Sequence, residues 1–281
     1  MVNIAQSAVT KSILELEDEL DAKLFERLPK GMQLTPDGHR FLISARKVLA
    51  SVIDAGSLLK TTPKGLAGTL TIGVTGLVAG YYLSEFVSRF RRSCPDVNIQ
   101  LIEETPQFLE HLLINGEIDV AFMLSNMLAE PQALVAETLT RSPNRVWMAA
   151  NHPLTMLPEI TLEDCSKYDF IVLEADRIDD VLRSAWARLL LSPKALMRTS
   201  SLEAVRSLVG LGAGIAILPD FLYRPWTLDG EHVDVRALRN AVSTVDVGLV
   251  WRRGLSMKPE VLEFIDNARE LARPRRQATR A

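Results

Sequence analysis

The chain has 281 residues, 47% of them hydrophobic and 24% charged, with a formal net charge of −3. This is enough apolar material for two or three compact units, and it excludes a disordered or collagen-like chain. The small negative charge gives no overall pull toward nucleic acid, so any affinity for DNA would have to come from a local patch and from pairing of copies.

Val9, Ile13, Leu16 and Leu20 recur every three or four positions, as on a helix that buries one stripe. Gln6, Ser7, Thr10 and Lys11 then project from the first turns of the other face, where Gln suits an adenine edge and Lys a guanine or a phosphate. The run Arg27-Leu-Pro-Lys-Gly-Met-Gln-Leu34 places Pro29 and Gly31 between short apolar stretches, as a hairpin does, with Arg27 and Lys30 in reach of flanking phosphates. The first 60 residues are balanced, with eight Lys or Arg against eight Asp or Glu, which weakens the electrostatic case for DNA.

Thr35-Pro36 reads as a helix start, with a capping hydroxyl and a proline where no amide hydrogen is needed. In the helix that follows, Phe41, Ala45, Val48, Val52, Ala55 and Leu59 step by four and three, a coiled-coil seam that predicts a second copy. The other reading is a helix packed within its own chain, since Leu42, Leu49 and Ile53 widen the stripe. Thr61 to Gly68 breaks the helix as a hinge. Beyond Thr69, strands at 70–74, 97–103 and 119–123 alternate with helices ending near Arg92 and over 106–115, a βαβαβ pattern expected to form a parallel sheet. A second series follows, with strands at 146–149, 170–173 and 215–218 and helices at about 178–191 and 202–211. A last strand at 245–251 and a helix over 259–271 complete it, and the basic stretch 273–281 is expected to be disordered.

Gln6, Ala8, Thr10, Lys11, Ile13, Leu16, Glu17, then Leu24, Phe25, Arg27, and finally Leu34, Thr35 and Gly38 form a pattern that resembles the LysR-type transcriptional regulators. The likeness continues through Asn-His-Pro-Leu at 151–154 and through Ser-Leu-Glu-Ala-Val leading to Gly-Ala-Gly-Ile-Ala-Ile-Leu-Pro at 212–219. The resemblance implies an α/β chain: a partial winged helix-turn-helix (1–36), a coiled-coil linker helix (37–62), a hinge (63–68) and a two-lobed periplasmic-binding-protein-like effector domain (69–272). Lobe I is expected at about 69–140 and 241–272, and lobe II at about 141–240. The family's winged helix has two helices ahead of the recognition helix, and only Met1 to Ile4 stand there. Either the start lies downstream of the true one, which is the reading favoured, or DNA binding is impaired. In the latter case the chain is a stand-alone solute-binding module.

In open α/β folds a ligand sits beyond the carboxyl ends of the strands, where helix starts point amides into the cleft. Thr75 and Thr105 follow the first two strands, and Ser200-Ser201-Leu202-Glu203 opens a helix with capping-box spacing. Each of these residues could be a plain cap, but the family resemblance places them along the interlobe cleft. Thr75, Thr105 and Ser201 are therefore the leading effector contacts, followed by Thr199 and Ser200, with Ser125 a weaker candidate. Amide donors and hydroxyls without a fixed negative charge favour a carboxylate effector, an uncharged sugar-like ligand being the alternative.

Gly210 to Gly214 closes a helix and precedes a strand, the wrong order for a dinucleotide loop. His39, His111, His152 and His232 are widely spaced, and no nucleophilic triad or carboxylate pair can be assembled, so no enzyme is expected and no cofactor is implied. Cys94 and Cys165 lack metal or disulfide spacing. Without a signal sequence the expected compartment is the cytoplasm, and Gly65 to Ser84, though uncharged, reads as strand and helix start rather than as a membrane span. The expected partners are operator DNA, a small effector, and further copies of the chain as a homodimer or homotetramer.

Overall fold

The computed structural model describes residues 6–28, 31–35, 37, 38, 40–42, 44, 45, 48, 65–239, 242–254 and 256–278. Lys30, Val52, Ala55 and Leu59 lie outside the described residues, as do the side chains of Gln6, Ser7 and Arg27. The chain divides into two compact units, Met1–Lys64 and Gly65–Ala281.

The first unit opens with α1 (Gln6–Glu19). Ile13 and Leu16 are half-buried, while Val9 and Leu20 remain 44% and 42% exposed, so the apolar stripe is only partly covered. Asp21, with φ of 47°, ends the helix in the left-handed region that Asp tolerates better than most residues. Strands β1 (Phe25–Leu28) and β2 (Gly31–Leu34) then pair antiparallel from Phe25↔Leu34 to Leu28↔Gly31, the expected hairpin. Glu17 fastens the helix to it: its buried carboxylate accepts from the amides of Leu24 at 2.8 Å and Phe25 at 2.9 Å and from Lys23 Nζ at 2.9 Å. These hydrogen bonds, the one from Lys23 foremost, hold the Glu17 carboxyl below its usual range. The Thr35 hydroxyl caps the next helix by accepting from Gly38 N–H at 2.9 Å, and it donates to the Lys23 carbonyl at 2.5 Å. Gly38 is required here, because a Cβ would stand 2.0 Å from the Leu24 carbonyl oxygen. Every described position from 37 to 48 is helical, with Phe41 and Ala45 half-buried and Val48 exposed.

The second unit has two lobes. Lobe I is a five-stranded sheet in the order β4-β3-β5-β12-β6. Its strands are β3 (Gly68–Val74), β4 (Val97–Glu103), β5 (Val120–Leu124), β6 (Leu134–Ser142) and β12 (Val245–Arg252). The first three are parallel, as the βαβαβ pattern demands, and β12 runs antiparallel between β5 and β6. A continuous helical run follows β3, made of α2 (Gly76–Val78), a π-turn (Ala79–Leu83) and α3 (Ser84–Ser93). With α4 (Pro106–Asn115) and α8 (Pro259–Ala278) it covers the sheet. Tyr82, Phe86, Phe122 and Phe264 pack in a row in the core, with neighbouring ring centroids 5.0, 5.0 and 6.3 Å apart, the first pair stacked and the last edge-on. Helix α8 corrects one expectation: it continues through Pro274 to Ala278, where a disordered tail from Arg273 was expected; the Arg, Gln and Ala residues around that proline are good helix formers.

Lobe II is less regular than the sequence suggests. Its main sheet is antiparallel, in the order β10-β7-β11, from β7 (Asn144–Ala149), β10 (Ala216–Pro219) and β11 (Val233–Ala237). A parallel pair, β8 (Phe170–Leu173) and β9 (Ala195–Thr199), joins it through the Phe170↔Ile215 bridge. Helices α5 (Leu162–Cys165), α6 (Asp179–Arg188) and α7 (Leu202–Gly210) pack around these strands. Strands β6, β9 and β11 have no counterpart in the sequence reading. In β6 a bulge opposite Val247 and Gly248 shifts the register, so the buried positions do not alternate cleanly. Gly248 permits this approach, since a Cβ there would lie 2.2 Å from the Glu137 carbonyl oxygen. The chain crosses between lobes at Pro143 and again near Ser243, and Asn144 Nδ2 donates across the two crossings to the Ser243 carbonyl at 2.8 Å.

Candidate functional site

On α1 the described polar face carries Thr10 and Lys11; Lys11 is exposed and pairs with Glu15 at 3.7 Å, a solvated contact of small energy. Helix followed by two-stranded hairpin is the recognition-helix and wing order read from the sequence.

In the second unit Thr75 and Thr105 follow the adjacent parallel strands β3 and β4. Thr75 ends β3 and is the N-cap of the helical run, with backbone φ of −87° and ψ of 154°. It is fully buried, and its hydroxyl makes no hydrogen bond of good geometry among the described residues. Across from it stands Asp176, from the β8–α6 loop of lobe II, whose Oδ2 accepts the Leu77 N–H at 3.1 Å. Burial pushes the Asp176 carboxyl up and nearby Glu103 adds to this, while Thr75 and the Leu77 amide oppose it. The helix start that the sequence offered to an effector thus holds a carboxylate supplied by the other lobe.

A second interlobe contact lies on the same helical run. The Tyr81 hydroxyl donates to Glu203 Oε1 at 2.5 Å, and Glu203 also accepts from Arg206 Nε at 3.1 Å. Burial alone would push the Glu203 carboxyl up, but hydrogen bonds from Tyr81 and Arg206 outweigh it and hold the group below its usual range. Arg206 is 1% exposed, donates to the carbonyls of Arg224 at 2.8 Å and Leu222 at 3.2 Å, and lies over the Trp147 ring at 5.2 Å. Most of its donors are used inside lobe II, and Nη2 also reaches the Tyr81 hydroxyl of lobe I at 3.4 Å, so this arginine braces the interlobe contact.

The remaining candidates differ in what their hydroxyls do. Ser201 is the N-cap of α7 and accepts from Ala204 N–H at 3.2 Å. The capping-box spacing from Ser200 is therefore not used, because the cap falls one residue later and Glu203 turns to Tyr81 and Arg206 instead. Thr199 Oγ1 accepts from Ser201 N–H at 3.1 Å, while Ser200 is exposed. Thr105 precedes Pro106 at the start of α4, is exposed, and makes no side-chain cap. Ser125 is buried, and its hydroxyl bonds Thr138 Oγ1 and the Asp246 carbonyl, both at 3.2 Å. The sequence reading of a cleft without fixed negative charge is corrected by Asp176, Glu103 and Glu203. The only sequence signal for Asp176 was its place just past the carboxyl end of β8.

Elsewhere, Cys94 and Cys165 are buried, and burial pushes their thiols up to about 11 and about 12. His152 caps the Pro153–Met156 turn, its Nδ1 accepting from Leu154 N–H at 3.3 Å. Among the described residues no group of three or more His, Cys, Asp or Glu could hold a metal ion, and no helix is long and apolar enough to cross a membrane.

A helix and wing in one unit and a two-lobed α/β domain with facing helix starts in the other define a ligand-responsive DNA-binding regulator. Two family models match the chain: the LysR substrate binding domain over residues 63–273, and the bacterial regulatory helix-turn-helix protein, lysR family, over residues 1–39. The HTH-type transcriptional regulator cbl of Escherichia coli (strain K12) is 30% identical, covering 95% of this chain and 84% of its own length. The crystal structure of HinK, a LysR family regulator from Pseudomonas aeruginosa, superposes with a TM-score of 0.67 at 26% identity, over 96% of this chain and 89% of that one. The effector binding domain of QuiR in complex with shikimate shares the fold alone, with a TM-score of 0.63 at 20% identity over 74% of this chain and 99% of that one. The chain belongs to the LysR family of transcriptional regulators, which are not enzymes.

Proposed function

We propose that this regulator reads operator DNA through Gln6, Ser7, Thr10 and Lys11 on α1, with Arg27 and Lys30 of the wing on flanking phosphates. Two copies pair along Phe41, Ala45, Val48, Val52, Ala55 and Leu59, and the regulator works in the cytoplasm. A small carboxylate binds between the lobes at Thr75, Thr105 and Ser201, with Thr199 and Ser200 beside them; Ser125, already bonded within the sheet, contributes least. One observation carries the carboxylate: the helix start at Thr75 already takes the Asp176 carboxylate on the Leu77 amide at 3.1 Å. An incoming acid takes that place and frees Asp176. Binding therefore shifts the balance of lobe arrangements by its preference for one of them, and through it the spacing of the paired DNA-binding units.

A thermal-shift screen of the full chain against matched acids and neutral analogues tests the effector site. Stabilisation by an acid, weakened in Thr105→Val and Ser201→Ala, is expected; stabilisation by neutral ligands alone, or equal binding by both variants, overturns it. On DNA, Lys11→Ala should weaken operator binding, and Gln6→Ala should relax base preference at one position by about 1–3 kcal/mol. Unchanged affinity and preference in a competition assay defeat the assignment. Val48→Asp with Val52→Asp should break the dimer in sedimentation, since burying an unpaired charge costs several kcal/mol.

A further inference from the structure

Lobe II contains a cavity of about 310 Å³ between α6 and the β8–β9 pair, lined by none of the hydroxyl residues of the interlobe cleft. Its lining includes Phe170, Ile171, Leu173, Ile217 and Leu218, each no more than 3% exposed. Leu182 and Trp186 of α6 and Ala195 of β9 line it as well; Trp186 meets the Phe170 ring edge-on at 5.4 Å, and Leu182 and Ala195 are half-buried.

The charged groups at this cavity are already paired. Arg183 meets Asp179 and, at 3.4 Å, Asp180; Arg177 meets Asp180 at 3.0 Å; Arg198 meets Glu174 at 2.7 Å. Arg183 and Arg198 of the lining and Arg177 beside it thus face three carboxylates, which leaves the rim with no net charge to draw an ion in. An anion entering here gives up its hydration for a mostly apolar wall, whereas an uncharged apolar molecule exchanges water for that wall at a gain. A dry apolar cavity of about 150 Å³ takes a benzene ring, so this one has room for two fused rings.

The helix over the cavity is held in an unusual way. Asp176 and Arg177 are consecutive left-handed residues at its entrance, with φ of 51° and 62°, and Leu190 follows its end with φ of 54°. Such backbone is uncommon outside glycine and gathers at ligand clamps and switch regions. Ile178, which lines the cavity, stands two residues from Asp176, whose carboxylate holds the Leu77 amide of lobe I. A molecule wedged under α6 is thus placed against the loop that ties the lobes together.

We propose that lobe II carries a second ligand site beneath α6, for an uncharged molecule of one or two rings, coupled through the Asp176 loop to the interlobe contact. The test titrates the full chain with 1-naphthol and with 1-naphthoate, following ligand fluorescence. Saturable one-to-one binding of 1-naphthol is expected, with 1-naphthoate at least tenfold weaker. Ala195→Phe, which fills the cavity, should lose at least tenfold in affinity, and Leu182→Asp, which charges its wall, should do the same if the first variant folds poorly. Ser201→Ala, in the interlobe cleft, should bind 1-naphthol unchanged, which separates this site from the effector site. Hydrogen exchange of the Leu77 amide should slow at saturating 1-naphthol. Lack of saturable binding, equal binding of the anion, or full affinity in both cavity variants overturns the site; unaltered Leu77 exchange overturns the coupling.

Discussion

The two units are held together by different physics. In the first, Leu24 is the one buried hydrophobic residue among those described, and the polar clasp of Glu17 and Thr35 joins helix, hairpin and following helix. In the second, apolar burial dominates, with an aromatic stack in lobe I and a continuous buried cluster reaching from β3 to Val233 of β11. A unit built on a few charge-assisted hydrogen bonds should be sensitive to single polar substitutions and to acid, while one built on packing should respond to lost volume. The lesson is that the DNA-reading unit and the sensing unit can be perturbed separately.

The largest effect expected from that contrast is in the second unit. Phe122→Ala removes a fully buried ring that touches Tyr82, Phe86 and Phe264, and should cost about 3–5 kcal/mol in denaturant unfolding. A loss below about 1 kcal/mol would show that the stack contributes little.

Next comes the clasp. Glu17→Ala leaves the Leu24 and Phe25 amides without their acceptor and should reduce operator binding at least tenfold, while the effector domain melts unchanged. Because the folded carboxyl sits below its ordinary value of 4.5, its contribution is complete above that pH and is lost as pH falls through the lowered folded value. Acid should therefore loosen the first unit in wild type, and this pH dependence should vanish in Glu17→Gln. Circular dichroism and anisotropy with labelled DNA read both arms.

A smaller change is expected from Ser201→Ala, which removes the N-cap acceptor of α7 and should cost about 1 kcal/mol of stability. Thermal melting of the full chain gives the value, and Ser201→Asp, which restores an acceptor, should recover most of it.

The smallest effect concerns Asp176. Its carboxyl is raised above the ordinary 3.8, so the native state holds its proton more tightly than the unfolded chain. Stability from this group is present at low pH and is lost as pH rises through the raised folded value. Asp176→Asn, which keeps an acceptor for Leu77, should therefore melt about 1–3 °C above wild type at neutral pH, and the difference should fade as pH drops below that folded value. A constant difference across the range would separate the gain from ionisation.

Local pattern made much of this protein legible. The spacing of Val9, Ile13, Leu16 and Leu20 announced α1, Pro29 and Gly31 announced the hairpin, and the alternation after Thr69 announced three parallel strands of lobe I. Helix starts at Thr75, Thr105 and Ser201 were equally readable, because a capping residue and the first helical turn are neighbours in sequence. Tertiary structure alone decided which groups face one another across the cleft. Asp176 reaches Leu77 over 99 positions and Tyr81 reaches Glu203 over 122. Such partners carry no local periodicity; they are set by the order of strands in two sheets and by the two crossings between them. The same reason hid β6, whose bulge against Gly248 breaks the period-two pattern, and the cavity under α6, whose walls come from three strands and a helix with no shared motif.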